Sequence, residues 1–448
     1  MPVPQVVIVG RPNVGKSSVF NWLVRRRLAI VDNQPGVTRD RLSHLLHIED
    51  RFFEIVDTGG MGIEDVDDLT ADIEQQIDVA MQSADVILFT VDTREGIVPL
   101  DEEVAKRLRY INKPVICIAN KTDDPKLDSQ ADEFFRLGRG KLVKASTIQN
   151  RGREELLELI LERLPDADNE NNEQSDPEMK VAIVGRRNVG KSTFVNTLAH
   201  GERMIVSEVP GTTRDSVDGR FELDGKPFIA IDTAGLTKTG SVKTDIDFYS
   251  MHRAKRTVRY ADVALQFFAA NERIGKIDKQ LVKYIGDQYK PCIFVVNKWD
   301  TMAEHMPTEK WVRYLREQFP TMWHAPIAFI TGQSGRNVKA LINHAQMLFK
   351  QSLCRVGTGE LNRLLEAAIT RNPPPLFRHR RPKVFYATQV GVQPPTIVMF
   401  VNDPKAFPHT YKRYLLGVLR DQLEFGEVPI KLYLQARKQT EENAAKGA

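Results

Sequence analysis

Short apolar runs, stopped by glycine or by polar residues, alternate along this chain with stretches of helical spacing. VVIVG (6–10) is β-rich and ends in glycine, and SSVFNWLV, from Ser17, follows with helical periodicity. FFEIVDTGG (52–60) predicts a strand ending at Asp57, and VICIAN (115–120) one ending at Asn120. Strands of this kind, separated by helices, predict a doubly wound α/β unit with parallel strands and ligand loops at their C-terminal ends. The order then repeats. After Ser352 the pattern changes: TGELNRLLEAAIT predicts a helix from Thr358, RHRRPKVFYATQV a basic entry into a strand, and residues 391–395 a turn. TIVMFVN predicts a second strand, HTYKRYLLGVLRDQL a helix with Tyr411, Leu415 and Leu419 facing inward, and PIKLYLQARK a last strand. Tyr386 and Phe400 alternate with apolar neighbours and are expected in the core.

The joint between the first strand and helix carries chemistry. It reads Gly10, Arg11, Pro12, Asn13, Val14, Gly15, Lys16, Ser17, Ser18, a GxxxxGKS pattern in the strand–loop–helix setting that a phosphate loop needs. Backbone N–H groups and the helix start can surround a β-phosphate. Lys16 supplies charge to the β- and γ-phosphates, and Ser17 a hydroxyl to Mg2+. Downstream, PGVTRD offers Thr38 as a second hydroxyl. Asp57-Thr58-Gly59-Gly60-Met61 offers a carboxylate for a magnesium-bound water and an N–H for the γ-phosphate. Asn120-Lys121-Thr122-Asp123 then brings an aspartate to a strand end, where it can accept both N–H groups of guanine; adenine presents a different edge. The expected ligands are GTP or GDP with Mg2+.

All of this is duplicated. The second loop is Gly185, Arg186, Arg187, Asn188, Val189, Gly190, Lys191, Ser192, Thr193; Thr213 lies in PGTTRD. Asp232-Thr233-Ala234-Gly235-Leu236 and Asn297-Lys298-Trp299-Asp300 complete the set. The lysines, threonines and aspartates are each offset by 175 (191 − 16, 213 − 38, 232 − 57), and the asparagines by 177 (297 − 120). Survival of every polar element favours two working sites over one site and a relic. The copies differ where VDTREGI (91–97) meets AANERI: Asp92 faces Ala269 and Gly96 faces Arg273. This stretch is read as altered surface or loop packing, with a different domain contact as the alternative.

The length of 448 residues suits about three domains, and 42% apolar with 27% charged residues suits a globular protein. The net charge of +4 says little, but its distribution says more. Residues 165–179 hold six acidic side chains and no basic one, which predicts an extended connection; residues 352–448 hold fifteen Lys and Arg against eight Asp and Glu. Three separated cysteines exclude a disulfide scaffold or a cysteine-rich metal site. No apolar stretch is long enough to span a membrane and no lipidation motif stands out, so a cytoplasmic protein without a membrane anchor is expected.

The doubled NVGKS, PGVTRD and PGTTRD, DTGG and DTAG, and NKTD and NKWD, followed by a basic domain, resemble the bacterial Der family, also called EngA. The resemblance covers nearly the whole chain. It implies two tandem P-loop GTPase domains of mostly parallel sheets, followed by a small α+β KH-like domain. The boundaries are 1–164 for the first GTPase domain, 165–179 for the linker, 180–351 for the second, 352–438 for the KH-like domain and 439–448 for a tail. It implies GTP hydrolysis in assembly or maturation of the large (50S) ribosomal subunit, with that subunit, its precursors and rRNA as partners, and nucleotide-dependent domain rearrangement in a monomer. Lys16, Thr38, Asp57, Lys191, Thr213 and Asp232 would be catalytic, and Ser17, Thr38, Asp57, Ser192, Thr213 and Asp232 would serve Mg2+. The family's Ser-Ala pair beside the base is Ser146-Thr147 here and Thr331-Gly332 in the second half. Met61 and Leu236 stand where many GTPases have a water-orienting glutamine, so slow intrinsic hydrolysis is expected. Related GTPases with an asparagine in the loop bind K+, which assigns Asn13 and Asn188 to that ion; the alternative is a loop-stabilising role. The GxxG clamp of common KH modules is missing. Arg378, Arg380, Arg381 and Lys383 are either solvated charge or a contact with rRNA phosphates or the second GTPase domain. A GTP-regulated RNA-processing enzyme and a membrane-linked scaffold are the competing readings, and neither has a supporting motif.

Overall fold

The computed structural model describes residues 1–24, 42–58, 77, 80, 83–138, 140–165, 178–200, 207–210, 217–231, 246–302 and 306–437. The first sheet consists of β1 (Gln5–Val9), β2 (Leu42–Ile48), β3 (Arg51–Asp57), β4 (Val86–Asp92), β5 (Val115–Asn120) and β6 (Lys141–Lys144), ordered β2-β3-β1-β4-β5-β6. Among the described residues of this sheet, only β2 and β3 pair antiparallel. Every residue of β4 and β5 is buried, because helices cover both faces of the sheet. α1 (Lys16–Leu23) and α3 (Arg153–Arg163) pack on one side, and α2 (Pro99–Leu108) on the other. Register brings the polar strand ends level: Ile8 lies opposite Asp57, and Asp92 opposite Asn120.

The second sheet is built from β7 (Met179–Val184), β8 (Ser207–Pro210), β9 (Val217–Leu223), β10 (Lys226–Ala230), β11 (Val263–Ala269), β12 (Cys292–Asn297) and β13 (Ile327–Phe329). Its order, β13-β12-β11-β7-β10-β9-β8, repeats the first with β8 added at the antiparallel edge. Its helices include α4 (Lys191–His200), α5 (Ile246–Tyr260), α6 (Lys276–Asp287) and α7 (Val338–Leu353). The acidic connection expected over 165–179 ends too late: Met179 opens β7 and is buried in the second core, while 166–177 and the tail lie outside the described residues.

The C-terminal part has the expected α-β-β-α-β order. It comprises α8 (Thr358–Arg371), β14 (Val384–Gly391), β15 (Thr396–Val401), α9 (His409–Gln422) and β16 (Lys431–Ala436). β15 pairs antiparallel with β14 and parallel with β16. Tyr411, Leu415 and Leu419 of α9 are buried as expected.

The unbroken apolar run TIVMFV of β15 is explained by cover on both faces. Ile397, Met399 and Val401 join an apolar cluster that continues through α8 and α7 into the second sheet. Val398 and Phe400, on the other face, pack with Tyr433 against Leu45 of the first sheet. The same face carries a polar node. Glu54 of β3 is buried, and its Oε1 accepts from Lys431 Nζ at 2.6 Å and from Tyr433 Oη at 3.0 Å. Lys431 Nζ also stands 5.2 Å from the ring centre of Tyr289, in the second GTPase unit, so the node touches all three units. Truncating one member of a buried ion pair leaves the other charge uncompensated, at a cost of about 3 kcal/mol. Glu54→Ala is therefore expected to loosen docking of the first unit and enlarge the radius of gyration in small-angle scattering, with Glu54→Gln intermediate.

Candidate nucleotide sites

Both phosphate loops leave the central strand of their sheet and enter a helix at the lysine. Lys16 Nζ donates to the carbonyls of Gly10 and Arg11 at 2.8 and 2.9 Å; Lys191 Nζ donates to those of Gly185 and Arg186 at 2.7 and 2.5 Å. The ammonium is thus held across the mouth of each loop. Gly15 and Gly190 are left-handed, at φ 93° and 92°. A Cβ there would stand 2.4 Å from Asn120 Nδ2 or 2.1 Å from Asn297 Nδ2, so only glycine fits. That proximity has a purpose: Asn120 Nδ2 donates to Val14 O at 2.9 Å, and Asn297 Nδ2 to Val189 O at 2.8 Å. Base motif and phosphate loop are joined in both halves.

Ser17 and Ser18 are exposed on α1, whereas Ser192 is half-buried and Thr193 exposed on α4. Asn13 and Asn188 are exposed and left-handed, at φ 67° and 62°. Asp57 is fully buried at the end of β3, and the Thr58 hydroxyl donates to Ile8 O at 2.6 Å. Thr38, Gly59, Gly60, Met61, Thr213, Asp232, Thr233, Ala234, Gly235 and Leu236 lie outside the described residues.

Around the base motifs the halves diverge. In the first, Asp123 Oδ1 accepts from the Ser146 hydroxyl at 2.5 Å and Oδ2 from Arg94 at 2.6 Å; Thr122 is buried, its hydroxyl bonded to Ala119 O at 2.8 Å. Lys121 Nζ donates to Asn13 O at 3.0 Å and to Asp92. In the second, Gly332 N–H donates to Asn297 Oδ1 at 2.9 Å, and Trp299 packs on Phe329 with ring centres 4.5 Å apart. Asp300 is exposed. Ser146 and Thr331 occupy matching bridges, to Arg151 and Arg336.

Two features lie outside the motifs singled out above. Arg11 pairs with the fully buried Asp101 (3.2 Å) and with Glu95 (2.8 Å); Arg186 pairs with Asp278 (2.7 Å) and Glu272 (3.3 Å). Asp101 and Asp278 also accept backbone N–H groups at the starts of α2 and α6, so each ties its helix to the phosphate loop. Burial pushes both carboxyls above the usual range, against the opposing pull of the arginines. The signal was in the sequence: 278 − 101 and 272 − 95 both equal 177, the offset of the asparagines. The second feature is Asp92. It is not part of an altered surface but is buried beneath the base motif, because β4 and β5 end at the same level.

On the C-terminal unit, Arg378, Arg380, Arg381 and Lys383 are exposed and have no ion-pair partner among the described residues. Phe400 is in the core as expected, but Tyr386 is 41% exposed, stacked on Phe400 at 4.2 Å. It lies on β14, an edge strand of its sheet.

Doubled phosphate loops, each hydrogen-bonded to an NKxD motif at the end of a parallel strand, define a tandem P-loop GTPase. A family model described as a 50S ribosome-binding GTPase matches residues 5–121 and again 180–298. One described as the KH-domain-like of EngA bacterial GTPase enzymes, C-terminal, matches residues 355–435. The chain is 63% identical over 444 residues to GTPase Der of Rhodopirellula baltica, with 99% of this chain and 98% of that one covered. It is 41% identical over 439 residues to GTPase Der of Desulforamulus reducens, with 98% and 99% covered. The chain belongs to the Der family of GTPases, and its reaction is hydrolysis of GTP to GDP and phosphate.

Burial depresses the Lys191 ammonium to about 8, with Asp278 opposing the shift and Arg187 adding to it. Phosphates favour the charged form, so the second site should weaken as Lys191 loses its proton. Between pH 7 and 8.5 its GDP affinity is expected to fall about fourfold, measured by fluorescence titration of the Lys16→Ala chain.

Proposed function

We propose that this GTPase acts in assembly or maturation of the bacterial large (50S) ribosomal subunit, as a cytoplasmic monomer that associates transiently with precursor particles. The observation that carries this reading is the match of both halves to a family described as 50S ribosome-binding GTPases. In the proposal, units 1–164 and 180–351 bind and cleave GTP, and the unit 352–438 contacts rRNA. The exposed Arg378, Arg380, Arg381 and Lys383 suit phosphate contacts, which would weaken with salt.

Each site would divide its work among residues already described. Backbone N–H groups of 10–18 and 185–193 surround the phosphates, Lys16 and Lys191 offset charge on the transferred group, and Asp123 and Asp300 read guanine. Ser17, Thr38 and Asp57, with Ser192, Thr213 and Asp232, form an all-oxygen donor set that suits Mg2+; the level register of Ile8 and Asp57 supports it in the first half. When bound, Mg2+ neutralises charge on the β- and γ-phosphates. K+ is assigned to Asn13 and Asn188, exposed residues of the two loops whose side chains have no hydrogen bond among the described residues. Rearrangement of the units would follow from β3, which carries Asp57 and, three residues earlier, the docking residue Glu54.

Two measurements test these assignments. GTP turnover is expected to be faster in K+ than in Na+ at matched ionic strength, and the Asn13→Ala/Asn188→Ala chain should lose the difference; equal rates in both salts would remove the K+ assignment. The chain is also expected to co-sediment with large-subunit particles in a nucleotide-dependent way across GDP, GTP and a non-hydrolysable analogue. Binding that ignores the nucleotide would contradict the proposed control.

A further inference from the structure

The buried carboxylate of Asp92 is a charge that the phosphate chemistry does not use. It closes the C-terminal end of β4, level with Asn120 of β5, and is 1% exposed. Oδ2 accepts from Lys121 Nζ, and Oδ1 accepts the backbone N–H of Arg94 at 3.0 Å. Lys121 in turn bonds the Asn13 carbonyl, and the Arg94 guanidinium reaches Asp123 Oδ2. One carboxylate therefore stands behind two members of the NKxD motif: directly behind Lys121, and through Arg94 behind Asp123.

We propose that Asp92 is a positioning residue of the first guanine site, holding Lys121 between the base motif and the phosphate loop so that bound nucleotide dissociates slowly. The inference rests on the assignment of Asn120, Lys121 and Asp123 to the base, and deepens it.

The second half supplies the contrast. Ala269 lies opposite Asn297 in the register that Asp92 has with Asn120, and Asn271 stands where the first half has Arg94. Lys298 shares the left-handed backbone of Lys121, at φ 60° against 65°, yet its ammonium has no partner among the described residues. There the Gly332 N–H to Asn297 Oδ1 bond braces the asparagine, while in the first half Asn120 Oδ1 is buried without a hydrogen-bond partner among the described residues. The two base sites are thus braced by different means: the first through the lysine, the second through the asparagine. A carboxylate buried at a strand end without Lys121 would be costly, so the pair holds each other in place.

The test uses the full chain with the second site silenced by Lys191→Ala, and N-methylanthraniloyl-GDP release followed by stopped-flow fluorescence. Asp92→Ala is expected to speed release about tenfold. Asp92→Asn, which keeps the shape and the acceptor for Arg94 but removes the charge facing Lys121, should reproduce most of that effect. In a Lys121→Ala background, Asp92→Ala should add little, because the two act through one contact. An undiminished effect of Asp92→Ala in that background would overturn the proposal and leave Asp92 a general structural residue. No effect of Asp92→Ala or Asp92→Asn, with Lys121→Ala still speeding release, would overturn it while sparing the base-site assignment. No effect of Lys121→Ala would remove both.

Discussion

A single hydrogen bond repeated in both halves organises each nucleotide site: the side-chain amide of Asn120 or Asn297 on the carbonyl before the P-loop glycine. It joins segments more than a hundred residues apart, so the parts that hold phosphate and base share one rigid frame. The bond also dictates a residue type. With the asparagine so close, Gly15 and Gly190 have no room for a Cβ, and their left-handed backbone disfavours one independently. Lys16 and Lys191 then extend the frame by bridging the first carbonyls of their loops.

Around that frame the duplication preserved tethers and varied braces. Arg11 with Asp101 and Arg186 with Asp278 fasten phosphate loop to helix through carboxylates whose pKa burial raises and the arginines lower. Near the base the halves part: Asp92 and Arg94 serve the first, and Gly332 serves the second. Retaining a site's chemistry requires only that its ligand-facing groups stay in place. Several arrangements of supporting residues achieve this.

Assembly of the three units follows from the two faces of β15. One continues the apolar core of the second GTPase unit, and the other receives the β2–β3 edge of the first. The second junction carries the buried Glu54, Lys431 and Tyr433 node beside its apolar contacts. Removing either member of that ion pair would leave the other charge buried without compensation. Because Glu54 shares β3 with Asp57, a displacement of that strand acts on both the site and the junction.

Most of the architecture was legible in the sequence. Apolar runs stopped by glycine or by a polar residue located β1 and β5, the helical spacing of Tyr411, Leu415 and Leu419 located the buried side of α9, and the doubled motifs located two matching strand–loop–helix joints. These signals are local: a strand's covering, a helix's stripe or a phosphate loop is written in a few adjacent residues. The misreadings of Asp92, Tyr386 and Met179 share the opposite cause. Whether Asp92 meets solvent or Lys121 depends on two strands ending at one level; whether Tyr386 is covered depends on its place at the sheet edge. Local residue patterns thus determined the elements and their chemistry, while strand register and the packing of the three units decided which charges were buried together.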